Sequence, residues 1–216
     1  MHGDLTAVIY SVLLISLCVG AAVLILKAKP FGALTEEVAR KVVHIGVCNW
    51  YFIWRFCFET DALAILGLLV AAIANTAVTV KNGNRRWGLT YYPLAIIMVI
   101  SCVSFWGKGS YVSAGIAILG MGYGDGLAAL CGRYFTEKKV RILSRPLPCS
   151  HGKSAAGTLA FIVSVSIIAL AFGFPLYWSL LIALAGAICE AYTPYGLDNF
   201  TVPGILFIMS VLLETL

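Results

Sequence analysis

The residues best able to do chemistry in this sequence are acids standing inside or beside apolar stretches. Asp125 lies in Gly120-Met121-Gly122-Tyr123-Gly124-Asp125-Gly126, Glu190 closes a long apolar run, and Asp198-Asn199 follow it after a short connection. An ionised side chain at the centre of a bilayer costs at least about 2.5–3.5 kcal/mol on insertion scales, so such acids persist when paired, hydrated or functional. Three carboxylates and an amide form an oxygen-rich set of the kind that holds Mg²⁺ jointly with the phosphates of a substrate.

Basic residues accompany them. Lys153 sits in His151-Gly152-Lys153-Ser154-Ala155-Ala156-Gly157-Thr158, which resembles the end of a phosphate-binding loop. A complete P-loop needs glycine at 147, where Leu147 stands, and no buried strand precedes it, so a soluble P-loop NTPase is excluded. Lys153 then reads either as a charge preceding a membrane span or as a point charge on nucleotide phosphates, with small residues allowing close backbone approach. Arg40, Lys41 and His44 open another apolar run. At helical spacing Arg40 and His44 share a face, and Lys41 and His44 are also neighbours. They form either a snorkelling basic belt at the membrane surface or an anion clamp beside Asp125.

The glycines around Asp125 predict a local element. Each costs a helix about 1 kcal/mol relative to alanine. Four at alternate positions predict a broken helix near Asp125, followed by a short helix from Gly126 to about Phe135. Broken helices in membranes place polar backbone where it lines a cavity. Asp125 would then stand at a helix N-terminus. There it caps backbone N–H groups, coordinates a cation or accepts a proton from a substrate hydroxyl. Gly124 and Gly126 at such a helix start also suit phosphate binding.

The elements that must position these groups are membrane spans. Of 216 residues 61% are apolar and 12% charged, against about a quarter charged in a soluble domain. Eight apolar runs approach the roughly 20 residues that a span requires. They are Leu5–Leu26, Val42–Phe58, Ala62–Val80, Tyr91–Trp106, Tyr111–Phe135, Thr158–Phe174, Leu176–Tyr192 and Val202–Leu213. The fold class expected is all-α, a polytopic bundle of about eight transmembrane helices forming one integral membrane domain over residues 1–216. The N-terminal run is of spanning length and lacks a basic leader, so it reads as the first span rather than a cleaved signal. The seven cysteines are scattered, mostly in apolar runs, without metal-ligand spacing.

Charge sets the orientation. Thirteen of the fifteen Lys and Arg fall in the first, third and fifth connections, and only Arg55 and Lys108 fall in the even ones. The positive-inside rule then puts the odd connections in the cytoplasm and the N-terminus outside. The same charges account for the net +5 without a nucleic-acid partner. By parity, Asp125, Lys153, Glu190 and Asp198 all belong to the cytoplasmic face.

This set resembles the CTP-dependent lipid-alcohol kinases, the family of dolichol kinase, phytol kinase and their bacterial polyprenol and diacylglycerol relatives. The matching pieces run in order from Arg40 to Pro203. They are Arg40-Lys41 with His44, Gly88-Leu89-Thr90-Tyr91-Tyr92-Pro93, Gly124-Asp125-Gly126 with Ala128 and Gly132, Lys153-Ser154 with Gly157, Glu190, and Leu197-Asp198-Asn199-Phe200-Thr201-Val202-Pro203. The resemblance implies transfer of a nucleotide γ-phosphate, from CTP, to the hydroxyl of an isoprenoid or other lipid alcohol. It implies that Asp125 is the central acid, that Lys153 contacts phosphates, and that Glu190 and Asp198 help Asp125 hold Mg²⁺. Arg40, Lys41, His44, Gly124, Gly126, Ser154, Gly157 and Asn199 would surround the nucleotide. One departure stands at Ala156, where relatives often carry an acid before the glycine.

Two other readings compete. A phosphatidate cytidylyltransferase shares CTP, Mg²⁺ and a Gly-Asp…Gly pattern, but its C-terminal His-Gly-Gly and following acids are replaced here by Tyr195-Gly196-Leu197-Asp198-Asn199. A small transporter would also combine a broken helix with intramembrane acids. Against it, the ionisable groups gather at one face and no internal repeat is visible.

Overall fold

The computed structural model describes residues 2–81, 87–105, 107, 109–138, 153–193 and 196–216. Among them are nine α-helices, one short 3₁₀ turn and no strand: α1 (His2–Ala28), α2 (Thr35–Cys48), α3 (Trp50–Cys57), α4 (Asp61–Lys81), α5 (Gly88–Ser104), α6 (Tyr111–Glu137), α7 (Ala155–Ala171), α8 (Leu176–Tyr192) and α9 (Asp198–Glu214). Every expected span has its helix, the second being the pair α2–α3. Several residues of the sequence argument lie outside the described residues: Arg85, Arg86, Lys108, Lys139, Arg141, Arg145 and the His151-Gly152 pair.

Three of these helices, α1, α4 and α6, are long and apolar enough to cross a membrane by length and composition, and α5, α7 and α8 are shorter apolar helices. A helix of 17 residues, such as α7 or α8, extends about 25 Å, close to the hydrocarbon thickness. The outer surface is in keeping with this: Leu17, Phe56 and Ile73 are each at least 70% exposed. Large apolar side chains exposed in such number suit a surface that meets lipid rather than water.

The bundle is organised around α6. Of its spanning window 72% is buried, against 11% for α1. It packs against α2, α5, α7 and α9, while α8 rests on α7 and α9, α1 on α2 and α3, and α4 on α5. Fully buried Trp54, Ile96, Ile116, Met121, Phe161, Ile182 and Leu206 fill the spaces between these helices.

The expected break at Asp125 is not there. α6 runs without interruption from Tyr111 to Glu137, so Asp125 stands in mid-helix and caps nothing. Glycine is costly to a helix only when nothing compensates, and here close packing does. Side chains two positions apart point to nearly opposite sides of a helix, so the four glycines divide into two small-residue stripes. Gly120 and Gly124 face Leu206, Phe161 and Val165, and a Cβ on Gly124 would come within 2.8 Å of the Phe161 ring. Gly122 and Gly126 face α2, where a Cβ would overlap Cys48 and Ile45. Gly122→Ala is therefore expected to destabilise the fold by about 1–3 kcal/mol, because the helix must move off the Cys48 Cβ. Gly67→Ala on α4, where nothing lies within 4 Å, is expected to leave stability unchanged or raise it by up to about 1 kcal/mol. Thermal unfolding of both variants in one detergent checks the contrast.

The second span also differs from expectation. α2 begins at Thr35, seven residues before Val42, with Glu36 and Glu37 in its first turn, where acids complement the helix dipole. Arg40, Lys41 and His44 therefore lie inside a helix rather than at its mouth. The step from α2 to α3 is held by Asn49, whose side chain donates to Ile45 O at 2.8 Å and accepts from the Tyr123 hydroxyl at 3.1 Å. At the opposite end of the bundle, Asp4 accepts from the Thr60 N–H and hydroxyl, and Glu214 accepts from Ser110 and Ser113.

Candidate active site

The α2 register sets which basic residues enter the bundle. Glu37, Lys41, His44 and Cys48 follow one another at spacings of three or four, which places them along one side of the helix. Lys41 is 1% exposed and its ammonium lies 2.5 Å from Asp125 Oδ2 on α6. His44 Nε2 lies 3.2 Å from the same oxygen, although not in hydrogen-bonding alignment. Arg40, one position round the helix, points out of the bundle. Its side chain is 53% exposed and it pairs with Glu37 at 2.5 Å. Of the two pairings open in the sequence, the structure places Lys41 with His44 at the carboxylate and leaves Arg40 at the surface.

Three other elements complete the cluster. Glu190, 1% exposed, is near the end of α8, and Asp198 begins α9. Lys153 precedes α7 and its ammonium donates to Glu190 Oε1 and, at 3.2 Å, to Asp198 Oδ2. Oxygens of Asp125, Glu190 and Asp198, one from each of α6, α8 and α9, all lie within 4.8 Å of one another. The three acids chosen from the sequence as metal ligands are thus brought to one point. Burial opposes the charge of Lys153, but the carboxylates of Glu190, Asp198 and Asp125 outweigh it and raise its pKa above the usual lysine value.

Two lysines face three carboxylates, leaving one negative charge uncompensated within this group. Of the six buried side-chain oxygens without a partner among the described residues, two belong to this cluster, Glu190 Oε2 and Asn199 Oδ1; the other four are hydroxyls of Thr35, Ser104, Thr158 and Ser166. Buried polar atoms are normally satisfied, so each orphan requires a reason. Asn199 is held by its other end, donating from Nδ2 to Gly88 O at 3.2 Å. Its N–H donates to Asp198 Oδ1 at 3.0 Å.

The remaining candidates have structural positions of their own. Ser154 is the N-cap of α7, accepting from the Gly157 N–H at 3.2 Å. Gly157 lies against the Ala128 carbonyl, where a Cβ would sit at 2.8 Å, and Gly132 meets the Ser154 hydroxyl. Ala128 and Gly132 thus pack helices within one chain. Gly124 and Gly126 are at helix crossings, as described above.

Two participants were not foreseen as site residues. Tyr92 is buried, donates its hydroxyl to His44 O at 3.1 Å, and sets its ring edge-on to His44 at 4.7 Å. Gly88 supplies the carbonyl that orients Asn199. Both belong to the Gly88–Pro93 stretch, whose only local signal was an aromatic pair before a proline at the start of an apolar run.

One curated relative matches over most of its length. The phytol kinase of Synechocystis sp. (strain ATCC 27184 / PCC 6803 / Kazusa) is 31% identical over 183 residues, which cover 77% of this chain and 75% of the relative. No family model matches the chain, and no solved structure matches it. This identity over three quarters of both chains places the protein in the phytol kinase family of lipid-alcohol kinases.

Proposed function

We propose that this protein transfers the γ-phosphate of CTP to the hydroxyl of an isoprenoid alcohol, with Mg²⁺ held by Asp125, Glu190 and Asp198. The observation that carries this reading is the convergence of those three carboxylates from three helices, with Lys41 and Lys153 against them. The donor set fits a divalent cation. It is all oxygen, its three carboxylates outnumber the two lysines paired with them among the described residues, and Glu190 Oε2 is buried with no partner among those residues. When bound, Mg²⁺ supplies neutralisation of charge on the donor's phosphates.

The chain's own residues do the rest. Phosphoryl transfer depends chiefly on position and on fixed charge aimed at the transferring group. Lys153, kept charged by its surroundings, exchanges one of its carboxylate contacts for a phosphate oxygen. Lys41 holds Asp125 in place from α2, and Tyr92 and His44 brace that contact from behind. Asp125 is the central acid and accepts the proton of the acceptor hydroxyl or carries cation charge. Ser154, Gly157 and Asn199 border the space the phosphates occupy. The site lies in an apolar bundle, which limits the water that competes with the alcohol.

Arg40 has a different part. Exposed at the rim, it attracts the nucleotide without entering the cluster. Arg40→Gln is expected to raise the nucleotide KM a few-fold, with kcat unchanged and with the difference fading at high salt. Steady-state kinetics at two ionic strengths checks this. We infer further that this end of the bundle faces the cytoplasm, because in the sequence the basic residues concentrate in the connections on this side of the spans.

The test of the main reading is incubation of the purified protein with γ-labelled CTP, Mg²⁺ and a panel of lipid alcohols. Label is expected in a lipid monophosphate, with CDP released. Pyrophosphate release without labelled lipid would identify a cytidylyltransferase instead, and better labelling from ATP would overturn the choice of CTP.

A further inference from the structure

An apolar furrow of about 570 Å³ runs between α8 and α9, lined by Ala185, Ile188, Gly204, Ile205 and Ile208, with Met98 of α5 contributing. Among the described residues no charged side chain lines it. Its volume is within the range of about 300–1,000 Å³ typical of ligand sites.

Position gives the furrow its meaning. Cys189 and Thr201 line one end. Thr201 stands one helical turn after Asp198 on α9, and Cys189 precedes Glu190 on α8, so the head of the furrow lies within about a helical turn of the positions that carry two of the carboxylates. α8 ends where α9 begins, and from Thr201 to Ile208 the furrow follows α9 for about 10 Å towards the opposite membrane face. Ile188 and Ile208 are 60% and 53% exposed, so it opens sideways to lipid. A hydroxyl pair stands at its head, where Thr201 Oγ1 donates to Thr193 Oγ1 at 3.1 Å. Residue 204 is glycine, and a Cβ there would meet only Met98, at an ordinary 3.6 Å, so its Cα borders open furrow. The neighbouring furrow between α7 and α8 holds about 230 Å³, below the usual range for a ligand.

We infer that the α8–α9 furrow seats the hydrocarbon tail of the alcohol acceptor, placing its hydroxyl beside Asp198 and Glu190. This rests on the lipid-alcohol kinase reading and adds the route by which the acceptor enters, laterally from the bilayer.

The test compares wild type with Gly204→Phe, as full-length protein in nanodiscs, on a long isoprenoid alcohol and on a short soluble one. The phenyl ring fills the furrow below its head, so kcat/KM for the long alcohol is expected to fall about tenfold or more, with the short one unchanged. Equal loss on both alcohols, or no loss on either, overturns the inference. So does a change in oligomeric state with parallel loss, which would make the furrow a protomer interface. A second measurement needs no variant. Alkylation of Cys189 in wild type, mapped by mass spectrometry, is expected to slow with the long alcohol present and not with the short one. Equal rates overturn the inference. If wild type phosphorylates neither alcohol, the kinase reading fails, and Cys189 protection still decides whether the furrow binds the tail.

Discussion

Asp125→Asn is expected to reduce phosphate transfer by about 10³-fold or more and also to destabilise the protein. The first effect follows from removing a charge at the centre of the proposed transfer site, since fixed electrostatics is usually the largest single contribution to such a rate. The second follows from Lys41, which is 1% exposed and loses the carboxylate that now faces it at 2.5 Å. Breaking a buried ion pair from one side costs about 3–5 kcal/mol, whereas removing both partners is often close to neutral. The double variant Lys41→Met/Asp125→Asn is therefore expected to regain most of the lost thermal stability and none of the activity. Thermal unfolding and the labelled-CTP assay on wild type, both single variants and the double variant separate the two effects. Recovery of activity together with stability in the double variant would show that Asp125 serves the fold alone.

Glu190→Gln carries the second large effect. The carboxamide keeps an acceptor for Lys153 and nearly the same shape, but it loses the charge. If Glu190 is a metal ligand, the Mg²⁺ concentration giving half-maximal rate should rise by about tenfold or more, since even outer partners of such ligands are worth 10–100-fold. Stabilisation of the protein by Mg²⁺ in a thermal shift should weaken in step, which reports binding independently of turnover. Asp198→Asn should act in the same direction but more weakly, because that side chain is 14% exposed against 2% for Glu190 and water can replace part of what it supplies. An Mg²⁺ response identical to wild type in Glu190→Gln would remove Glu190 from the metal site and leave it as the partner of Lys153.

Much of this site was legible because the cost of burying charge is read position by position. An acid inside or beside an apolar run must have a reason wherever the chain folds, so Asp125, Glu190 and Asp198 could be chosen before any helix was placed. Apolar run lengths likewise announced the spans, since bilayer thickness is a constant of the surroundings. Family resemblance supplied the reaction class, and the identity with a phytol kinase supports that class.

What the chain alone did not decide was everything that depends on a second surface. Glycine at 120, 122, 124 and 126 reads as a weak helix until Cys48, Ile45, Phe161 and Leu206 are seen closing on it. The same four residues then become the reason α6 can sit at the centre of the bundle. Arg40 and Lys41 are adjacent and alike in charge, and only the rotation of α2 against α6 sends one outward and the other onto Asp125. Tyr92 and Gly88 entered the site because α5 passes behind α2 and α9. Residue type and spacing determine which groups are expensive to bury and how long each helix is. Helix rotation and approach determine which of those groups meet, because they are set by how all the facing side chains fit together.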